Sequence, residues 1–161
     1  MTDVLEARPT ALSPAMWIVL GFVAGFLSVL TFHQGTIGLM YLLGFVQNPP
    51  YNMAPRAPLG VPGVFSGAFW GGAWMTVFAI ATWYRPSLRR AGRDLVIAGL
   101  VLGAIIVPLF NLFILGPVIY GRPFAFALPG FIRSVIIHGI FGLGGAVLML
   151  LGQRFLNARR A

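Results

Sequence analysis

The sequence predicts an all-α, polytopic membrane protein: a four-transmembrane-helix bundle with both termini cytoplasmic and a proline-rich outer loop between helices 1 and 2. Three observations predict it. Of 161 residues, 58% are hydrophobic and only 9% charged, whereas a water-soluble chain carries about a quarter charged residues. Four stretches each supply the roughly 20 apolar residues a bilayer crossing takes, and no charge lies deep in any of them. The arginines gather at alternate ends of those stretches.

Taken in order, the spans cover about 15–32, 64–84, 95–115 and 131–151, within a single membrane domain over 1–161. The first is read as a retained span, because the region before it carries two acids and one arginine and no small-x-small cleavage site follows. The outer loop 33–63 holds Pro49, Pro50, Pro55, Pro58 and Pro62 and is expected to be extended and partly rigid. Within it, residues 36–46 are apolar but too short to cross; they either prolong helix 1 or lie in the interface after a break at Gln34-Gly35. A short cytoplasmic loop, 85–94, ends at Asp94, which can cap the third span. Pro108 predicts a kink below Asn111, because the carbonyl of Ala104 loses its donor. A second outer loop covers 116–130.

Orientation follows from charge. Arg8, Arg85, Arg89, Arg90, Arg93, Arg154, Arg159 and Arg160 fall on one side and Arg56, Arg122 and Arg133 on the other, so the first side is cytoplasmic. The same placement accounts for the net charge of +8 without nucleic acid. Trp17 and the Trp83-Tyr84 pair are placed at the cytoplasmic interface, and Trp70 and Trp74 in the outer half of span 2, as an aromatic belt. The absence of cysteine excludes disulfides, thiolate metal sites and thiol nucleophiles. The all-arginine basic set suggests GC-rich coding and hence a bacterial inner membrane.

Small residues four apart recur in every span: Gly21/Gly25, Gly67/Gly71, Gly99/Gly103 and Gly142/Ala146. Residues at i and i+4 share a helix face, so these pairs are notches for close helix packing.

Chemistry is expected where polar residues enter the spans. The predicted topology brings His33, Gln34, Asn111, Arg133, Ser134 and His138 to the outer half. His33 and His138 could ligate a b-type haem, act as a proton relay, or simply be hydrogen-bonded within the bundle. A protein-only metal site is not expected, since two histidines without a nearby acid or thiolate fall short of three or four ligands. Arg56, Arg122 and Arg133 have no acidic residue on their side, so a lipid, ligand or partner must supply the counterion. They mark an outer mouth that attracts anions, over which Tyr51, Tyr120, Phe124 and Phe126 could form a lid. Ser134 and His138 resemble a catalytic dyad on paper but lack an orienting acid, and no catalytic residue is assigned.

The strings Phe32-His33-Gln34-Gly35, Pro58-Leu59-Gly60-Val61-Pro62 and Phe69-Trp70-Gly71-Gly72-Ala73-Trp74 resemble a family of small, uncharacterised four-span proteins of proteobacterial inner membranes. The resemblance covers mainly the first half and implies location and fold, with no activity attached.

Three functions are therefore expected. The first is a structural or accessory membrane subunit that packs against itself or another membrane protein, with membrane lipids as its other partners. The second is binding or transport of an anionic amphiphile, such as a lipid, polyprenyl phosphate or quinone, through Arg56, Arg122, Arg133, Asn111, His33, Gln34 and His138. The third is a bis-histidine haem protein using His33 and His138.

Overall fold

A computed structural model describes residues 12–56, 59–90, 92–119, 121 and 123–159. Arg122 and Tyr120 lie outside the described residues, as do Asp3, Glu6, Arg8, Pro58 and Arg160. The chain is all-α and has four helices long and apolar enough to cross a membrane: α1 (Pro14–Leu42), α2 (Gly63–Trp83), α4 (Gly92–Ile119) and α5 (Leu128–Ala158). A short helix, α3 (Pro86–Arg90), joins α2 to α4. Between α1 and α2 a two-residue antiparallel ladder pairs β1 (Pro55–Arg56) with β2 (Val61–Pro62).

Local chemistry explains the boundaries. Ser13 caps α1 by accepting from the Met16 N–H, and Pro14 follows at the first helical position, where its missing donor costs nothing. The α1 helix does not stop at Gln34-Gly35. It runs through to Leu42, so the apolar stretch after Gly35 prolongs helix 1 and the connection expected to start at residue 33 starts at residue 43. The continuation passes through a wide turn at Val29–His33, where the Gln34 N–H reaches back five residues to the Val29 carbonyl. The Thr31 and Thr36 hydroxyls, one within the turn and one just after it, bond the carbonyls of Leu27 and Phe32, four residues earlier.

Helix α4 absorbs its prolines in the same way. A wide turn at Leu102–Ile106 precedes Pro108, with the Val107 N–H bonded to the Leu102 carbonyl, and a second, Asn111–Ile119, contains Pro117. The irregularity expected around Pro108 is thus spread over a whole turn on its N-terminal side. Asp94 lies in the first turn of α4, where a carboxylate interacts favourably with the helix dipole, and its Oδ1 is 3.7 Å from Arg93 Nε.

The helices pack in the order α2–α1–α5–α4. Two close pairs come from the glycine notches. A Cβ added at Gly21 would lie 2.7 Å from both the Met75 carbonyl oxygen and Ala79 Cβ, and one at Gly25 would collide with the Gly71 carbonyl; both contacts join α1 to α2. Between α4 and α5, a Cβ at Gly99 would lie 2.6 Å from the Gly142 carbonyl oxygen, while one at Gly103 would collide with the His138 carbonyl. Gly67 departs from the expected pattern. Its nearest neighbour would be Val29 Cγ1 at 3.9 Å, and Gly72, against Phe22, provides the second notch of α2 instead.

Trp17 is also placed differently from expectation. It is 1% exposed and pins α1 to α2, its indole N–H directed at the Ala79 carbonyl (3.1 Å) and Thr82 Oγ1 (3.2 Å). A tryptophan near a span end faces the headgroups only if its helix face does, and this one shares the face of Gly21. Ser28, fully buried, ties α1 to α5 by donating to the Phe141 carbonyl at 2.7 Å.

Candidate functional site

At the end of the bundle where α1 and α4 finish and α5 begins, the polar residues expected to meet are brought together across three helices. His33 and His138 stand edge to face, ring centroids 5.4 Å apart, with Phe141 edge-on to His33 at 6.5 Å. Gly139 and Gly142, on the face of α5 toward α4, keep that side free of bulk, and the His138 carbonyl fits the Gly103 notch.

Each imidazole is oriented by its own partner. His138 Nδ1 is 2.8 Å from the Ser134 carbonyl oxygen, which has no hydrogen to give, so Nδ1 carries the proton and Nε2 the lone pair. Ser134 Oγ lies 3.1 Å from the same nitrogen as a second acceptor. For His33 the order is reversed. Gln34 Oε1 accepts from the Tyr51 N–H at 2.7 Å, which turns the amide so that its Nε2 donates to His33 Nδ1 across 3.4 Å. His33 therefore carries its proton on Nε2.

Tyr51 is the unexpected member. It is the one non-glycine among the described residues with a left-handed backbone (φ 57°), a conformation costing roughly 1–2 kcal/mol. Two hydrogen bonds to α1 hold it there: its N–H to Gln34, and its hydroxyl to the Leu30 carbonyl at 2.9 Å. Gln34, 8% exposed, thus serves both the loop and the histidine. No sequence signal marks Tyr51 as a staple rather than part of a lid.

Between α4 and α5, next to Ser134, lies an open cleft of about 260 Å³ lined by Pro108, Asn111 and Leu112 of α4, the irregular segment Ala125, Phe126 and Ala127, and Gly130, Phe131 and Ser134 of α5. Two polar side chains, Asn111 and Ser134, interrupt an otherwise apolar wall. Phe126 packs on Phe131 (5.7 Å) and Phe124 stacks on Phe113 (5.6 Å), so this segment forms one side of an open cleft.

Arg133 is exposed in the second turn of α5, between the lining residues Gly130 and Ser134 in sequence but not itself part of the lining. One guanidinium nitrogen donates to the Phe45 carbonyl at 2.9 Å, and the other lies 3.8 Å from where a Cβ on Gly130 would be. A guanidinium has five donors, so that bond leaves most of them available. The ion pair Arg93–Asp94 is the only one among the described residues and lies at the opposite end. Arg56 is not drawn into the cluster. It is exposed in β1, its Nε 3.0 Å from where a Cβ on Gly63 would stand, over the first turn of α2.

The arrangement limits the chemistry. In the Ser134–His138 pair, Nδ1 is protonated and spent on a carbonyl, so it cannot take the hydroxyl proton as a general base. A bis-histidine haem takes two imidazole lone pairs on opposite sides of the iron. Here His33 Nδ1 accepts from Gln34 and its Nε2 carries the proton, so in this arrangement His138 Nε2 is the ring nitrogen with a free lone pair among the described residues.

No family model matches this chain, and neither a curated protein nor a solved structure matches it. The resemblance of the Phe32–Gly35, 58–62 and 69–74 strings consequently receives no support from these comparisons.

Proposed function

We propose that this chain is a multi-pass protein of a bacterial inner membrane, both termini cytoplasmic, that holds the head group of an anionic amphiphile at the outer end of α4 and α5. The observation that carries the reading is the open cleft in which Asn111 and Ser134 break an apolar wall, with Arg133, exposed and without an acidic partner among the described residues, adjacent to Ser134 on α5. Its volume is below the roughly 300–1,000 Å³ of sites that enclose a whole drug-sized molecule. It suits a head group whose acyl or prenyl tail remains in lipid. The side carrying most arginines is the cytoplasmic one by the positive-inside rule, which places the cavity outside.

Native mass spectrometry from membranes of mixed phosphatidylglycerol and phosphatidylcholine tests this. One phosphatidylglycerol should be retained in preference, and Asn111→Leu should weaken its retention about fivefold, the loss of roughly 1 kcal/mol of hydrogen bonding. Arg133→Gln should weaken it more, about tenfold or beyond, because a charge-assisted bond is lost. Equal retention of both lipids, unchanged by either variant, defeats the reading. A neutral quinone would respond to Asn111 and not to Arg133. Excess dimethyl phosphate separates the sources: displacement of the lipid marks recognition of the phosphate alone.

A second reading, an accessory subunit, is favoured by the length of α1. Its 29 residues extend about 43 Å, well beyond an apolar core of about 30 Å, and the end carries exposed Leu39, Leu42, Leu43 and Phe45. On this reading a second copy or a different membrane protein remains bound after mild extraction, and Leu42→Ser with Leu43→Ser releases it. Extraction as a bare monomer dismisses it.

A further inference from the structure

We infer that the His33–His138 pair is a proton-binding site coupled to the neighbouring cavity, so that an anionic head group and one proton are taken up together. The inference rests on the binding reading above and adds the proton to it.

The geometry supplies an acceptor. Of the four ring nitrogens, His138 Nδ1 gives its proton to the Ser134 carbonyl, His33 Nδ1 accepts from the Gln34 amide, and His33 Nε2 carries a proton. His138 Nε2 keeps the one lone pair that no hydrogen bond among the described residues engages. A proton from water adds there, the Nδ1–H stays on the Ser134 carbonyl, and nothing leaves, so the ring becomes an imidazolium.

Among the described residues, its surroundings offer that charge no counterion. From α1, the neutral His33 ring stands edge to face with it, centroids 5.4 Å apart; from α4, the neutral backbone of Gly103 packs against its carbonyl; on α5 the nearest charge is Arg133; and from the loop Tyr51 hydrogen-bonds to Leu30. Asp94 is at the far end of α4. An anion in the cavity is the group that can balance it. Ser134 joins the two sites, its carbonyl and hydroxyl on the imidazole and its side chain in the cavity wall. Coupling of this kind is reciprocal: the proton tightens the anion, and the anion tightens the proton.

The sign follows. Affinity for the anion is high where the pair is protonated and falls as pH rises. The probe is phosphatidylglycerol, a phosphate diester whose own charge is constant across the imidazole range of about pH 5–8. As pH is lowered from about 8 its retention by the wild-type protein should rise about fivefold or more, the scale of ordinary coupling. His138→Gln should still retain the lipid, with the pH dependence gone. His33→Gln, which removes the ring facing His138 and keeps the acceptor, should retain a pH-dependent response of altered midpoint. Retention that is flat with pH in the wild type, or a slope that survives His138→Gln, overturns the coupling while leaving the binding reading intact. Retention at no pH overturns both.

Discussion

Gly103→Val should separate α4 from α5 and lower the stability of the protein by about 3 kcal/mol or more. Overpacking of a close-packed interior ordinarily costs about 1–3 kcal/mol, with neighbouring side chains yielding. At Gly103 the obstacle is the backbone carbonyl of His138 with the Gly142 nitrogen behind it, and neither can rotate away. Moving the helix outward would also open Gly99 from Ala146 and Gly142. The control is Gly67→Ala, where the nearest atom would be 3.9 Å from the new methyl and the helix should gain slightly from alanine's propensity. Thermal unfolding in mild detergent distinguishes them: a large fall in midpoint for Gly103→Val and essentially none for Gly67→Ala. Equal midpoints would mean that the two helices do not meet at this notch.

Trp17→Ala should cost about as much at the other close pair, on the order of 3–5 kcal/mol. The substitution removes the largest fully buried side chain, from a core that includes Ala79 and Phe78. It also deprives the Ala79 carbonyl and the Thr82 hydroxyl of the indole donor. Trp17→Phe should recover much of the packing and none of the hydrogen bonding. Trp70→Ala, at a position 61% exposed, should change the midpoint little. If Trp17 were instead a belt residue facing headgroups, the Trp17 and Trp70 variants would behave alike.

The four helices were legible because the signal is one of quantity: long apolar runs bounded by arginine and proline leave few alternatives. The meeting of His33, Gln34, Asn111 and His138 was legible too, once alternating chain direction had been assigned. Three things were not. Glycine at position 35 suggests a break, and whether a helix survives it depends on the hydrogen bonds of Thr31 and Thr36 and on packing, which composition does not reveal. Small-residue spacing identifies candidate notches but not the face that meets a neighbour, so Gly67 was grouped with Gly71 where Gly72 belongs. The partner of Arg133 is a backbone carbonyl 88 positions away, at Phe45, and a carbonyl has no residue signature. For the same reason, the roles of Ser28 and Tyr51 become visible only when the backbone acceptors are located.

The wide turn at Val29–His33 gives α1 a phase as well as a length. Each residue of a helix advances its side chains by about 100°, so a turn that accommodates one extra residue resets the angular position of everything beyond it. Before the turn, Gly21, Gly25 and Ser28 face α2 and α5; at its end and just past it, His33 and Gln34 are aimed at the α5 histidine and the loop. Shortening the segment by a single apolar residue would leave its hydropathy almost unchanged and its span ample, yet would rotate the imidazole away from its counterpart. In this helix the number of residues between Ser28 and His33 sets the aim of the imidazole, so an insertion or deletion there should misalign the histidines even though exposed Thr31 tolerates substitution and buried Val29 does not.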